Sequence, residues 1–273
     1  MPSPTAISLQ KFIRLVGTPK CPAIVDVRTD EDFAADPRLI PGSVRRPFAA
    51  VAAWAPALAG GAAIVVCHKG LKLSEGVAAW LRHAGSEADV LEGGFVAWAD
   101  AGLSLVPADR IPPRDGEGGS VWVTRARPKV DRIACPWLIR RFVDPSAVFL
   151  FVAPSEVPAV AERFGATPFD IEGVFWSHRG ETCTFDTMVG EFGLATEPLL
   201  RLTTIVRGAD TARPDLAPQA AGLLAVSLGL SRLYSDDLRQ LEAGMGIYDA
   251  LYLWCRDAVD EAHNWPSAKG PRP

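Results

Sequence analysis

The chain has no apolar run close to the roughly 20 residues that a membrane-spanning helix requires. Stretches such as 147–153 and 220–230 are of core length only, and no membrane partner is expected. Its opening residues, Met1-Pro2-Ser3-Pro4, lack a basic stretch followed by an apolar one, so no secretory signal is expected. There is no Cys-x-x-Cys: the five cysteines, at 21, 67, 135, 183 and 255, are odd in number and widely spaced. That speaks against a disulfide framework and for the reducing cytoplasm, with free thiols available for chemistry. The chain also lacks a strong excess of either charge. Its 28 basic and 32 acidic residues give a net −4, which argues against a surface built for nucleic acid. Internal repeats and collagen-like or coiled-coil composition are missing too.

What is present is apolar mass: 48% of the 273 residues are hydrophobic and 22% charged, which excludes a disordered chain. The length predicts about two domains. The run Pro107-Ala108-Asp109-Arg110-Ile111-Pro112-Pro113-Arg114-Asp115-Gly116-Glu117-Gly118-Gly119 has proline, glycine and charge without apolar periodicity, and is expected to link a domain at 1–106 to one at 120–273. Before it, Ile24-Val25-Asp26-Val27, Ile64-Val65-Val66 and Val90-Leu91 read as buried strands, with helices at 8–16 and 75–84. That alternation predicts an α/β domain with a parallel sheet flanked by helices. After it, strands are expected at 121–127 and 148–152, and helices from Asp131 or Ala134 to about Val143 and at 155–164. A long C-terminal helix would turn Leu238, Leu241, Met245, Tyr248, Tyr252, Cys255 and Val259 to one face. The second domain is therefore expected to be a mostly helical α+β unit.

Cys67 follows its strand directly, and His68-Lys69-Gly70-Leu71-Lys72-Leu73-Ser74 leads into a helix. Backbone N–H groups at such a helix start, with the charges of His68, Lys69 and Lys72, suit an anion and a reactive thiol. With Ile24-Val25-Asp26-Val27-Arg28, Ile40-Pro41-Gly42-Ser43 followed by Pro47, and Leu91-Glu92-Gly93-Gly94 with Trp98, this loop completes four ordered motifs. Residues 5–106 resemble a single-domain rhodanese. The resemblance implies a sulfurtransferase in which Cys67 carries sulfur as a persulfide, with Asp26 and Arg28 supporting the loop. His68, Lys69, Gly70, Leu71 and Lys72 would hold the oxyanion of thiosulfate or another sulfane-sulfur donor. The usual loop reads Cys-x-x-Gly-x-Arg-Ser; here Lys72 replaces the arginine and Leu73 is extra. A longer loop resembles the phosphatases of the same fold, whose wider ring accepts a tetrahedral oxyanion.

In the second half, residues 121–141 carry six basic residues and one acid. Arg125, Arg127, Lys129 and Arg132, close to Cys135 at a helix start, are candidates for a second oxyanion pocket. His178 and Cys183, five apart on a polar loop, are candidate ligands for iron, zinc or manganese, with Glu242, Glu181, Asp186 or Asp249 available to complete a site. Lys129-Val130-Asp131-Arg132-Ile133-Ala134-Cys135-Pro136-Trp137, Cys183-Thr184-Phe185-Asp186 and the stretch from Leu241 to Tyr252 resemble the C-terminal domain of the chromate-resistance protein ChrB family. This resemblance covers about 120–262 and implies the handling or sensing of chromate in bacterial resistance. Small inorganic anions (thiosulfate, chromate or sulfate) are the expected partners. Family members regarded as regulators carry another N-terminal region, so DNA contact by this chain is not expected. A non-enzymatic chromate sensor, and a metal-dependent redox enzyme in the second half, are the alternatives to the sulfurtransferase reading.

Overall fold

The structure is a computed structural model that describes residues 5–114 and 118–261. In the first half, strands β1 (Ala6–Ile7), β2 (Ala23–Asp26), β3 (Arg38–Leu39), β4 (Ser43–Arg45), β5 (Ala62–Val66) and β6 (Glu87–Leu91) are interspersed with helices. These are α1 (Leu9–Ile13), α2 (Asp30–Ala35), α3 (Val51–Trp54), α4 (Lys72–His83) and α5 (Gly94–Asp100). Five strands form a parallel sheet in the order β1-β6-β5-β2-β4. Successive strand side chains point to opposite faces, so each strand feeds two cores. Val25, Val65, Val77 and Leu81 pack on the side of α3 and α4. Ile24, Ile64, Val66, Phe12, Phe95 and Trp98 pack on the side of α1 and α5. The expected α/β sheet flanked by helices is present; the first helix is shorter than expected, ending at Ile13, and α4 starts earlier, at Lys72.

The proline-rich segment is partly ordered. β7 (Val106–Pro107) pairs antiparallel with β3, Ala108–Arg110 form a 3₁₀ turn, Ile111 packs on the second core, and Arg114 bridges to Ser120. Residues 115–117 lie outside the described residues.

The second half holds a small parallel sheet, β10-β8-β9, made by β8 (Val121–Arg125), β9 (Val148–Val152) and β10 (Thr167–Pro168). The rest is mostly helical: α6 (Asp131–Leu138), α7 (Val157–Phe164), α8 (Thr184–Glu191), α9 (Glu197–Asp210), α10 (Gln219–Leu233) and α11 (Asp237–Asp257). β8 stops at Arg125, two residues short of the expectation, because Arg127 turns to φ +58° and its N–H donates to Asp237 instead of a strand. Pro136 removes one N–H from the α6 ladder, and the next turn, Ile139–Val143, is wound as a π-helix. Trp137 centres the core, 5.6 Å from both Phe142 and Tyr252, with its Nε1–H donating to Asp249 at 2.8 Å. On α11 the buried stripe runs from Leu241 through Met245, Tyr248 and Tyr252 to Cys255. Leu238 is exposed and Val259 falls beyond the helix end, correcting the expected stripe at both ends. Gly244 is where α11 meets α6: a Cβ there would sit 2.6 Å from Ile133 Cγ2.

The halves are in contact. Gly42 N–H donates to Phe142 O at 2.6 Å, and Gly17, at φ +76°, lies so close to the Phe142 ring that a Cβ would come within 2.2 Å of it. Among the described residues, no helix is long and apolar enough to cross a membrane. All five cysteines are free thiols.

Candidate functional site

Cys67 sits at the end of β5, buried, at the mouth of the loop that leads into α4. Its Sγ receives the Leu71 N–H at 3.3 Å and lies 3.1 Å from Ser74 Oγ. The Leu91-Glu92-Gly93-Gly94 segment underlies this arrangement. Phe95 and Val96, in the first turn of α5, donate N–H groups to the carbonyls of Cys67 (2.9 Å) and His68 (3.0 Å). Those carbonyls are thus occupied on the α5 side, while the Leu71 amide faces the sulfur. Such packing requires bare glycines: a Cβ on Gly70 (φ +67°) would lie 2.4 Å from Leu91 O, and one on Gly94 (φ +60°) 2.4 Å from Cys67 O. His68 Nδ1 is buried without a hydrogen-bond partner, whereas Lys69, Leu71 and Lys72 are exposed around the loop.

Asp26 and Arg28 form a buried ion pair at 2.6 Å. The remaining guanidinium N–H groups reach the carbonyls of Asp36 (3.0 Å) and Arg38 (2.6 Å), and the guanidinium stacks 3.7 Å over the Phe95 ring. Phe95 is the residue whose N–H holds Cys67 O. The Asp26–Arg28 pair thus meets the frame of the loop through Phe95.

Of the four cations expected to line a second anion pocket, the three arginines are already matched within the protein. Arg125 and Arg132 both bind Asp170, each at 3.2 Å. Arg127 spends its guanidinium on the carbonyls of Ser231 and Tyr234, where α10 ends. Lys129 is exposed. Cys135 is fully buried, and burial, reinforced by Asp131 and Asp170, pushes its thiol well above the ordinary range, away from the reactive thiolate. The expected metal set His178, Cys183 and Glu242 is likewise corrected. Glu242 is exposed and pairs with Arg140 at 2.5 Å, and Asp249 is held by Arg141 and Trp137. Cys183 Sγ donates to Asp186 at 3.0 Å, and burial drives its thiol far upward.

Of those three, His178 joins a cluster of carboxylates, with Cys183 beside Asp131 at its edge. Its Nε2 faces Asp210 Oδ2 at 3.2 Å, Asp170 Oδ1 at 3.3 Å and Asp131 Oδ2 at 3.6 Å. The four side chains arrive from separate elements. Asp131 is the first residue of α6, aimed by Val130, a β-branched residue held at φ +36°. Three buried side chains hold that turn: Ser227 Oγ accepts from Val130 N at 2.9 Å, Tyr248 donates to Val130 O at 2.9 Å, and Gln240 donates to Pro128 O at 2.6 Å. Asp170 takes φ +52° in the loop after β10, and Asp210 ends α9. Asp131 Oδ2 accepts the N–H groups of Thr184 (2.7 Å) and Phe185 (3.3 Å) at the start of α8, while its Oδ1 is buried with no partner.

The electrostatics follow from this crowding. Burial, then the charges of Asp210 and Asp170, push Asp131 well up; burial, then Asp170, raise Asp210. Burial opposes ionisation of Asp170 as well, but His178, Thr184, Arg132 and Arg125 together hold it below the usual carboxylate range. His178 is raised, by its bond to Asp170 first and then by Asp131 and Asp210. A cavity of about 460 Å³, lined by Arg125, Asp170, Glu172, Ser177 and His178 among others, opens beside the cluster.

Asp170 and Asp210 carried no signal in the sequence: each is a single acid in an ordinary context, 40 residues from the other. Asp131 was visible as a possible helix start and as one residue of the ChrB-like motif, not as a member of a cluster. A left-handed aspartate and an acid at the wrong end of a helix become informative only once the backbone is known.

A thiol loop on a parallel α/β sheet and a carboxylate–imidazole cluster in a helical unit define a two-part protein. Residues 8–101 match the family described as rhodanese-like domain, and residues 122–255 match ChrB, C-terminal domain. The chain carries both domains in one polypeptide. It is 37% identical to protein ChrB of Cupriavidus metallidurans over 149 residues, 53% of this chain and 44% of that protein. It thus spans less than half of that relative's length. Among solved structures it is similar to a rhodanese homolog from Thermus thermophilus (27% identity, 33% of this chain and 96% of that one, TM-score 0.28). A rhodanese-related protein from Thermoplasma volcanium is similar at 21% identity, over 37% and 96% of the two chains, with a TM-score of 0.31.

Proposed function

We propose that the chain is a rhodanese-type sulfurtransferase serving chromate resistance, with Cys67 as the sulfur carrier. The observation that carries this reading is the Cys67 sulfur held at the start of α4, with the Leu71 N–H at 3.3 Å and Ser74 Oγ at 3.1 Å. In the proposed reaction the Cys67 thiolate attacks the sulfane sulfur of thiosulfate. A new S–S bond forms, the sulfane–sulfonate bond breaks with its electron pair, and sulfite leaves, giving the Cys67 persulfide. A thiophilic acceptor such as cyanide then takes the outer sulfur and returns the thiolate, so no external oxidant or reductant is needed. Leu71 N–H and Ser74 Oγ stabilise the anionic sulfur, and Lys69 and Lys72 attract the dianionic donor.

A cytoplasmic setting is part of the proposal, because free thiols must stay reduced to carry sulfur. So is the link to chromate, a tetrahedral dianion shaped like sulfate, which rests on the ChrB-like half. The proposal assigns the chain small inorganic anions as partners and no DNA. The test is to mix the full chain with thiosulfate and weigh it: one added sulfur atom, absent in Cys67→Ala and discharged by cyanide, is the expected result. Loading that survives Cys67→Ala would refute the assignment.

A further inference from the structure

We propose that Asp131, Asp170 and His178, completed by Asp210, form a binding site for a divalent first-row metal ion of the manganese(II) or iron(II) type, in the ChrB-like half. The first argument is geometric. Asp131, Asp170 and His178 each offer a donor atom, all within 4.8 Å of one another. Three carboxylate oxygens surround one imidazole nitrogen at 3.2, 3.3 and 3.6 Å. A single N–H has one proton and serves one acceptor well, and a charge-assisted bond is normally nearer 2.7–2.9 Å. Donors sharing one ion at about 2.1 Å, by contrast, stand roughly 3.0–3.4 Å apart. Asp210 and Asp170 stand from the imidazole at that spacing, and Asp131, at 3.6 Å, lies just outside it.

The second argument is independent of the first. Asp131 is fully buried, and its Oδ1 has no hydrogen-bond partner although Oδ2 of the same carboxylate is fixed by two helix amides. An orphaned carboxylate oxygen in the interior carries its full desolvation cost unless a cation meets it. Asp210 points the same way: as the last residue of a 14-residue helix it puts negative charge at the end where the helix dipole is already negative.

The donor set fixes the class of ion. Three carboxylates and one imidazole are hard to borderline donors, which suit manganese and iron(II). The nearby thiols do not compete: Cys183, which donates to Asp186 and also neighbours Asp131, is kept protonated by burial, and Cys135 is sealed in the core. Second contacts hold the ligands: Thr184 Oγ1 donates to Asp170 Oδ1 at 2.9 Å, and Arg125 and Arg132 engage Oδ2. His178 is half-exposed toward the 460 Å³ cavity, which leaves a side of the ion open for water or a small anion.

This inference does not depend on sulfur transfer at Cys67. The test uses the full chain, purified without a metal-binding tag, stripped with chelator and titrated with Mn²⁺ while free Mn²⁺ is followed by electron paramagnetic resonance. About one equivalent should bind. His178→Ala and Asp131→Asn should each weaken binding by roughly 100-fold, and Asp210→Asn by about tenfold. Asp131→Asn keeps an oxygen for the Thr184 and Phe185 amides, and circular dichroism checks that each variant is folded. Glu242→Gln should bind as the parent does. If the folded parent takes up neither Mn²⁺ nor Fe²⁺, or if His178→Ala binds as tightly as the parent, the cluster is only an ion-pair network and the proposal falls.

Discussion

The Cys67 loop and the His178 cluster are built in opposite ways. The loop is local: sulfur, amide and hydroxyl lie within eight consecutive residues, and the packing partner at 91–96 is a single short segment. The cluster is assembled from positions 131, 170, 178 and 210 on four elements, held by a strained turn that three further side chains from α10 and α11 support. A local site tolerates neutral surroundings because backbone dipoles supply its charge. A dispersed site concentrates full charges in the interior and needs a counter-charge to be stable. The two halves therefore place different demands on their surroundings, and separate experiments can probe each.

The largest effect expected is at the sulfur. Cys67→Ala should lower thiosulfate–cyanide sulfur transfer by at least about 1,000-fold while leaving Mn²⁺ affinity unchanged. A parallel loss of metal binding would break the contrast between the two regions. Next, Gly70→Ala should cost roughly 100-fold in the same assay, because its Cβ collides with Leu91 O and displaces the amides around the thiol. Ser74→Ala removes only the hydroxyl near Sγ and should cost about tenfold, with the fold intact by circular dichroism. Removing metal with chelator should leave sulfur transfer within about twofold, as the Cys67 loop uses backbone amides rather than an ion.

The smallest effect sharpens the electrostatic side of the comparison. In the metal-free chain Asp131 and Asp210 are raised above 3.8 and His178 above 6.5, so over this span the folded state holds more protons than the unfolded one. Stability then falls as pH rises from the ordinary carboxylate value through the raised carboxylates, and again as it rises from 6.5 through the raised imidazole. Asp170, held low, contributes with the opposite sign over the acidic part only. Denaturant titrations of chelated protein across this range should show that downward slope, and saturating Mn²⁺ should flatten or reverse it. A chelated chain whose stability rises steadily with pH would contradict the assigned crowding of carboxylates.

The sequence by itself determined the first half almost completely. Buried parallel strands are continuous apolar runs, so Ile24-Val25 and Ile64-Val65-Val66 announced the sheet, and a thiol after such a strand announced the loop. It also determined the helical character of the second half and the apolar face of α11 from Leu241 to Cys255. Tertiary structure decided the partners of the charges. Arg125, Arg127, Lys129 and Arg132 read as a converging basic patch, but the carboxylates and carbonyls that the three arginines meet across the domain lie 38 to 110 residues away. Backbone turns with positive φ at Arg127, Val130 and Asp170 were equally hidden, because contacts to Asp237, Ser227 and Trp176 hold them and local propensity disfavours them. Hydrophobic periodicity is a property of neighbours in sequence, whereas charge pairing is a property of neighbours in space, and the His178 cluster is made entirely of the latter.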